Sequence, residues 1–443
     1  MLSSNVVNGK FRKISSPITV HLELTEACNE KCRHCYNFWR EDSLKGEAIT
    51  QKNLDFTIEE LIKNNVFHVI LTGGEPFLVF DKLVYGLKKC LEGGMSVSVN
   101  SNLMLATPEK IRELKSAGLE HILTTVNSFD DETNDYVANT PGALKTIMAG
   151  IKTAQEAGVR VTPNMIVSDI NKNHVYKTGE FLHKYGISKF LANRTIPSKN
   201  TDLNGKNEFV FDQEAAKSMF DSLLKLNEDF GMQIGTCRTV PNCFFQELDK
   251  YAAFLGRGCS AGKKHLSLSV NGTAHACVHE EKSYGNIHEI GLKGLWENME
   301  IWRTLNYIPE ECRDCDLFHL CDGGCRLVGE AYEKKLSGRD NLCVGPENIP
   351  HYNNGINDDL LKLVETEAFK VIHPLKSRKE NGYYIFRIIG ARVAFVDETL
   401  ADFLIDKSKR NASFTLKTIG KNNKNQLANF VKEGLCYKVA HYN

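Results

Sequence analysis

Three cysteines, Cys28, Cys32 and Cys35, fall within eight residues of the stretch "EACNEKCRHCYN", at the spacing C-x3-C-x2-C. The stretch leaves the first predicted strand, "TVHLEL", so all three thiolates can turn inward toward one metal centre. Structural zinc takes four protein ligands, and a four-iron cube usually takes four cysteines. A cube held by three keeps one iron open, and an open metal position binds a small molecule directly. The competing arrangement is a zinc site completed by His34 or a remote residue. Tyr36 follows the third cysteine, and "LTGGEP" closes the second predicted strand. There Gly73 and Gly74 let backbone approach a ligand closely, and Glu75 offers a carboxylate or backbone group to a cationic amine.

A second set begins at Cys259. Residues 259–277 read "CSAGKKHLSLSVNGTAHAC", residues 312–325 read "CRDCDLFHLCDGGC", and Cys343 closes the series. The spacing is C-x12-G-x4-C, then C-x2-C-x5-C-x3-C, then a final cysteine. A zinc ribbon built on Cys312 and Cys315 with two others is the alternative. The opening "MLSSNVVNGKFRKISSPITV" has no long apolar run or cleavage site, and no later stretch approaches the ~20 apolar residues that span a bilayer. A soluble cytoplasmic protein is expected, where thiols stay reduced, so the 14 cysteines point to metal or redox chemistry rather than disulfides. Lys and Arg together number 55, equal to Asp and Glu, which leaves no electrostatic grip on nucleic acid or an anionic membrane.

The elements that must position these groups alternate regularly. After an N-terminal segment, 1–16, the strand candidates "TVHLEL", "FHVILT", "MSVSVN", "HILTTV", "RVTPNMIV" and "KFLANRTI" are separated by helix candidates such as "NLDFTIEELIKN" and "ALKTIMAGIKTAQEAG". Such βα alternation predicts an α/β fold with a parallel sheet and right-handed crossovers. Six units place a partial (β/α)6 TIM-like barrel over 17–235, with an open sheet as the alternative, and chemistry at the carboxyl ends of the strands. The Cys- and Gly-rich region 236–350 is too poor in apolar runs for a core of its own, and metal ligation is its expected source of order. Residues 360–443 read as a small α+β, winged-helix-like domain. "GYYIFRIIGARVAFVD" gives two strands around Gly390, then "ETLADFLIDKS" and "NQLANFVKEGLCYKV" follow.

The pairing of "CNEKCRHCYN" with "GGEP" resembles the radical S-adenosylmethionine (SAM) enzymes, over roughly residues 17–235. The resemblance implies a [4Fe-4S] cluster on Cys28, Cys32 and Cys35, with SAM chelating the open iron. It places Tyr36 near the adenine and Gly73, Gly74 and Glu75 near the methionyl amine, with Asn100, Asn102 and Asn127 as candidates for ribose or carboxylate contacts. The second cysteine set resembles the SPASM domain, which usually carries two auxiliary [4Fe-4S] clusters. By that resemblance Cys259, Cys277 and Cys325 hold the first, and Cys312, Cys315, Cys321 and Cys343 the second, with Gly272 turning the chain before Cys277. Cys243, in "VPNC", is the candidate fourth ligand of the first auxiliary cluster and Cys237 the next, while Cys90 and Cys436 read as core thiols.

The last piece resembles PqqD-like peptide-recognition domains, which add a leader peptide to a sheet edge. Together the resemblances imply a maturase of a ribosomally synthesised precursor peptide. It would abstract hydrogen through a 5′-deoxyadenosyl radical, giving a thioether or carbon–carbon crosslink or a backbone excision, with flavodoxin or ferredoxin as electron donor. No general base stands out. An anaerobic sulfatase-maturating, formylglycine-forming enzyme is the alternative within the class, and a zinc-stabilised, non-catalytic interaction protein the alternative outside it.

Overall fold

A computed structural model describes residues 6–7, 10–36, 46–197, 209–348, 358–390 and 392–439, so the N-terminal segment 1–16 is seen only in part. The chain divides into two units, one spanning residues 5–350 and the other containing residues 351–443.

In the first unit the six predicted strands form and lie parallel: β1 (Thr19–Glu23), β2 (His68–Thr72), β3 (Ser96–Asn100), β4 (His121–Thr125), β5 (Arg160–Val167) and β6 (Lys189–Arg194). Their crossovers carry α1 (Gln51–Lys63), α2 (Phe80–Glu92), α3 (Pro108–Ser116), α4 (Asp131–Ala138), α5 (Ala143–Glu156) and α6 (Val175–Lys184). After β6, α7 (Gln213–Phe230) leads to a seventh parallel strand, β7 (Gln233–Gly235). This is the partial-barrel fold, in whose strands apolar residues such as Val20 and Leu22 or Val97 and Val99 alternate with polar ones. Val20, Leu22, Val69, Leu71 and Val99 are fully enclosed, as are Leu54 and Leu61 of α1 and Leu83 and Leu87 of α2. Helix starts are set by local chemistry. Thr50, Thr107, Asp130 and Asp212 each accept a hydrogen bond from an amide of the first turn.

The cysteine-rich region does not leave the barrel. It returns two strands to the same sheet: β8 (His265–Leu268) pairs parallel with β1, and β9 (Ala274–His275) pairs antiparallel with β8. The nine-stranded order is therefore β9-β8-β1-β2-β3-β4-β5-β6-β7. Metal ligation was the order expected from sequence here, and the structure adds buried cations that gather loop carbonyls. The Arg303 guanidinium donates to Gly262 and Trp296 carbonyls at 2.5 and 2.6 Å. Arg326 reaches the Tyr307 and Gly338 carbonyls, both at 3.1 Å. Such contacts satisfy the polar backbone of a region with few apolar runs.

The second unit contains α8 (Asp358–Thr366), β10 (Ala368–Val371), a three-stranded antiparallel meander β11 (Ser377–Lys379), β12 (Tyr383–Ile389) and β13 (Arg392–Asp397), then α9 (Glu398–Lys409). It continues through β14 (Phe414–Thr415) and α10 (Lys424–Glu433) to β15 (Cys436–Lys438), with β10 paired between β14 and β15. Phe369, Phe386, Leu404, Leu427 and Phe430 form its core. Cys436 sits in that core and Cys90 in the core of the first unit, and burial pushes each thiol up to about 12. No described helix is long and apolar enough to cross a membrane.

Candidate cofactor and cluster sites

A cavity of about 210 Å³ opens at the carboxyl ends of the barrel strands. Cys28, Cys32 and Cys35 line it from the loop after β1, joined by Tyr36, by Gly73, Gly74 and Glu75 after β2, by Asn100 and Asn102 around the end of β3, and by Asn127 after β4. All ten residues singled out on these loops thus meet at one cavity. The three thiols form no disulfide among the described residues and are a soft donor set of the kind that iron–sulfur clusters take. They fit the three-cysteine cluster that the resemblance implies.

The reason for two consecutive glycines differs from the expected one. A Cβ on Gly73 would stand 2.3 Å from the Thr25 carbonyl oxygen, and one on Gly74 2.0 Å from that of Ala27. The glycines let the β2 loop lie against the backbone of the cysteine loop, where the Gly74 and Glu75 amides donate to the Thr25 and Ala27 carbonyls at 2.6 and 2.8 Å. Gly74→Ala is accordingly expected to push the cysteine loop outward, at a cost on the order of 1–3 kcal/mol, and to lower the iron bound at Cys28, Cys32 and Cys35 in reconstituted protein. Iron content equal to that of the unaltered chain would refute it.

Glu75 is fully enclosed, and burial raises its carboxyl to about 7 although it accepts from the Phe77 amide at 3.0 Å, the Ser101 hydroxyl at 2.8 Å and the Asn102 amide at 2.8 Å. It ties the β2 and β3 loops together as well as facing the cavity. The Asn102 amide group donates to the Asn29 side chain at 2.8 Å, bracing the cysteine loop from a second side. The Asn127 side-chain oxygen accepts from the Ile166 amide at 3.3 Å, and its backbone carbonyl accepts from Asn171 at 2.9 Å.

Sequence reasoning missed the opposite wall. Arg194, at the end of β6, and Arg238 and His279, from the cysteine-rich region, also line the cavity. His279 lies two residues after Cys277, and its ring centroid is 4.7 Å from that of Tyr36. Burial first, and the Arg238 charge second, hold its imidazole well below the usual range, and its enclosed Nε2 has no hydrogen-bond partner among the described residues. Arg194 is clamped by Asp340 at 2.8 and 2.9 Å and by Asn341 at 2.6 Å, with both members of the ion pair sealed from solvent. None of these residues belongs to a recognisable motif, and only the fold brings them together.

Cys259, Cys277 and Cys325 lie within electrostatic reach of one another, and Cys277 and Cys325 pack in one cluster with Ile196, at the end of the barrel sheet. Gly272, at φ +87°, makes the turn between β8 and β9 ahead of Cys277. Cys312, Cys315, Cys321 and Cys343 line a second, smaller cavity. Among the described residues no three His, Cys, Asp or Glu donors converge as they would on a single ion, whereas thiols spread around a cavity suit the corners of a multi-iron cluster. Cys243 departs from its expected place. It lines the cavity of Cys312 and Cys343, with its sulfur 3.6 Å from that of Cys343. The cause is local: the next two residues, Phe244 and Phe245, are anchored on Phe220 of α7, with Phe245 at 4.8 Å, and carry the Pro241–Phe244 turn to that side. Cys237 is exposed.

The family model of the radical SAM superfamily matches residues 22–182, and that of the SPASM iron–sulfur cluster-binding domain matches residues 259–316. The AdoMet-dependent heme synthase of Methanosarcina barkeri is 26% identical over 74% of this chain and 97% of its own length. The PqqA peptide cyclase of Methylocella silvestris is 23% identical over 75% of this chain and 88% of its own. Among solved structures, Streptococcus suis SuiB bound to the precursor peptide SuiA superimposes with a TM-score of 0.61 at 17% identity, covering 75% of this chain and 76% of SuiB.

Proposed function

This chain is a radical SAM enzyme with a SPASM domain, and from that premise we propose that it matures a ribosomally synthesised precursor peptide by oxidising an unactivated carbon. The observation that carries the reading is the single cavity on which Cys28, Cys32 and Cys35 converge from one side and His279 and Arg238, next to the first auxiliary cysteines, from the other. A substrate admitted there lies between the two cysteine sets. The PqqA cyclase is named for a peptide substrate, and SuiB was solved with its precursor peptide, which supports a peptide here too.

When bound, the cluster and SAM supply reductive cleavage of SAM to methionine and a 5′-deoxyadenosyl radical, with flavodoxin or ferredoxin as the proposed electron source. The chain's own contribution is placement. The Gly73–Glu75 loop would hold the methionyl amine, Tyr36 would pack near the adenine, and Asn100, Asn102 and Asn127 are the candidates for the ribose and carboxylate. The His279 ring, 4.7 Å from that of Tyr36, lines the same cavity. Crosslinking or backbone excision is the proposed outcome, and formylglycine formation on a sulfatase the alternative. The second unit, with a strand β13 that pairs only with β12 among the described residues, is proposed to hold the leader by strand addition.

The test is anaerobic reconstitution with SAM, reductant and a leader-bearing peptide, read by peptide mass and 5′-deoxyadenosine. Loss of a pair of hydrogens from the peptide is the expected mark of crosslinking, and loss of a backbone fragment that of excision. Removing residues 358–443 should weaken leader-peptide binding by roughly 100-fold while peptide-free SAM cleavage stays unchanged. Equal affinity in the shortened chain would remove the second unit from recognition. The heme synthase relative supports heme formation as the second reading. Heme produced from a tetrapyrrole precursor with every peptide inert would establish that reading instead.

A further inference from the structure

Five thiols, not four, surround the second auxiliary site: Cys243 lines the same cavity as Cys312, Cys315, Cys321 and Cys343. A four-iron cube has four corners, so one thiol is surplus. Cys343 is hydrogen-bonded to Cys312 as well as to Cys243, and the Cys243 and Cys343 sulfurs are 3.6 Å apart, near van der Waals contact, too close to serve different corners of a cube. Both also lie on one backbone donor. The Gly345 amide serves each sulfur and the Val344 amide serves Cys243 as well. Gly345 holds φ +98°, so consecutive amides turn toward one point, an arrangement that receives negative charge. Cys243 is held there firmly, at 6% exposure, by the packing of Phe244 and Phe245 described above. Cys343 reaches the same point from the other side, on the turn that Asp340 begins with the Cys343 amide on its carbonyl at 2.8 Å.

We infer that Cys243 is an interchangeable ligand of the second auxiliary cluster, able to occupy the corner otherwise taken by Cys343. The inference rests on that site holding a four-iron cluster. It needs no redox step, since one thiolate leaves the iron as the other binds, and the proton released by one sulfur is taken up by the other.

The experiment uses the full chain, reconstituted anaerobically, with Cys243→Ala, Cys343→Ala and the double variant compared by iron and sulfide content and by electron paramagnetic resonance of the reduced protein. Each single variant is expected to keep about twelve irons, the sum of three four-iron clusters, and the double variant, left with three thiols, to give a second-cluster resonance unlike that of either single variant. The resonance of the second auxiliary cluster should be a sum of two forms in the unaltered protein and should collapse to one, a different one, in each single variant. Loss of about four irons in either single variant would overturn the exchange and make that cysteine the sole ligand. A second-cluster resonance unchanged by Cys243→Ala would overturn it equally, and does not depend on whether Cys343→Ala folds. About eight irons in the unaltered chain would overturn the cluster assignment itself, a result distinct from either.

Discussion

Changing Cys28, Cys32 and Cys35 together to alanine is expected to reduce 5′-deoxyadenosine formation to the level without enzyme while the auxiliary iron remains. The three thiols are the only cysteines on the cavity that faces the Gly73–Glu75 loop among the described residues. Without them nothing in that cavity can hold the cluster that SAM must reach. The change should remove about four of about twelve irons. Folding should persist, because Cys32 and Cys35 are only partly buried and the loop is held by backbone bonds between Thr25, Ala27, Gly74 and Glu75 that do not involve sulfur. Retained SAM cleavage with iron reduced by that amount would move the radical site elsewhere.

The second large effect is expected at Asp340. Its carboxylate pairs with Arg194 at the end of β6, accepts from the Cys325 amide at 2.8 Å and accepts from the Leu342 amide at 3.1 Å. One buried group therefore joins the barrel to the loops of both auxiliary sites. Asp340→Ala leaves the Arg194 guanidinium uncompensated in a sealed position, which costs about 3–5 kcal/mol, visible as a lower midpoint of thermal unfolding. The double change Arg194→Leu with Asp340→Leu removes the stranded charge and should recover much of that midpoint. It should not recover auxiliary iron, because the Cys325 and Leu342 amides still lack their acceptor. Full iron in the double variant would reduce Asp340 to a plain ion-pair partner.

These two cases also show where sequence reading stops. The three-cysteine loop and the Gly-Gly-Glu turn were legible because each is local: a handful of neighbouring residues carries the whole pattern, and βα alternation says which end of the sheet they share. The six barrel strands were legible for the same reason, since short β-rich runs alternate with stretches of helical length. Arg194 and Asp340 lie 146 positions apart, and no spacing rule connects them. His279 reaches the cavity because β8 and β9 dock beside β1, and Arg238 because β7 pairs with β6, where Asn193 accepts from the Arg238 amide. Cys243 was visible as a thiol, but its destination depends on where Phe244 and Phe245 find a surface. Gly73 and Gly74 were rightly read as close-approach residues, yet what approaches them is the neighbouring loop's main chain.

The parallel ladder between β8 and β1 also bears on how the molecule can be taken apart. Ending the chain near residue 235, where the sequence pattern changes, strips β1 of its partner from Thr19 to Leu22. The first strand then becomes an open edge carrying Val20 and Leu22, both fully enclosed in the intact chain, and such an edge is a template for pairing with another molecule. A barrel fragment made that way should self-associate through the strand that leads to its own cysteine loop. The smallest separable piece of this enzyme therefore runs past His275, and the second cysteine set travels with the first.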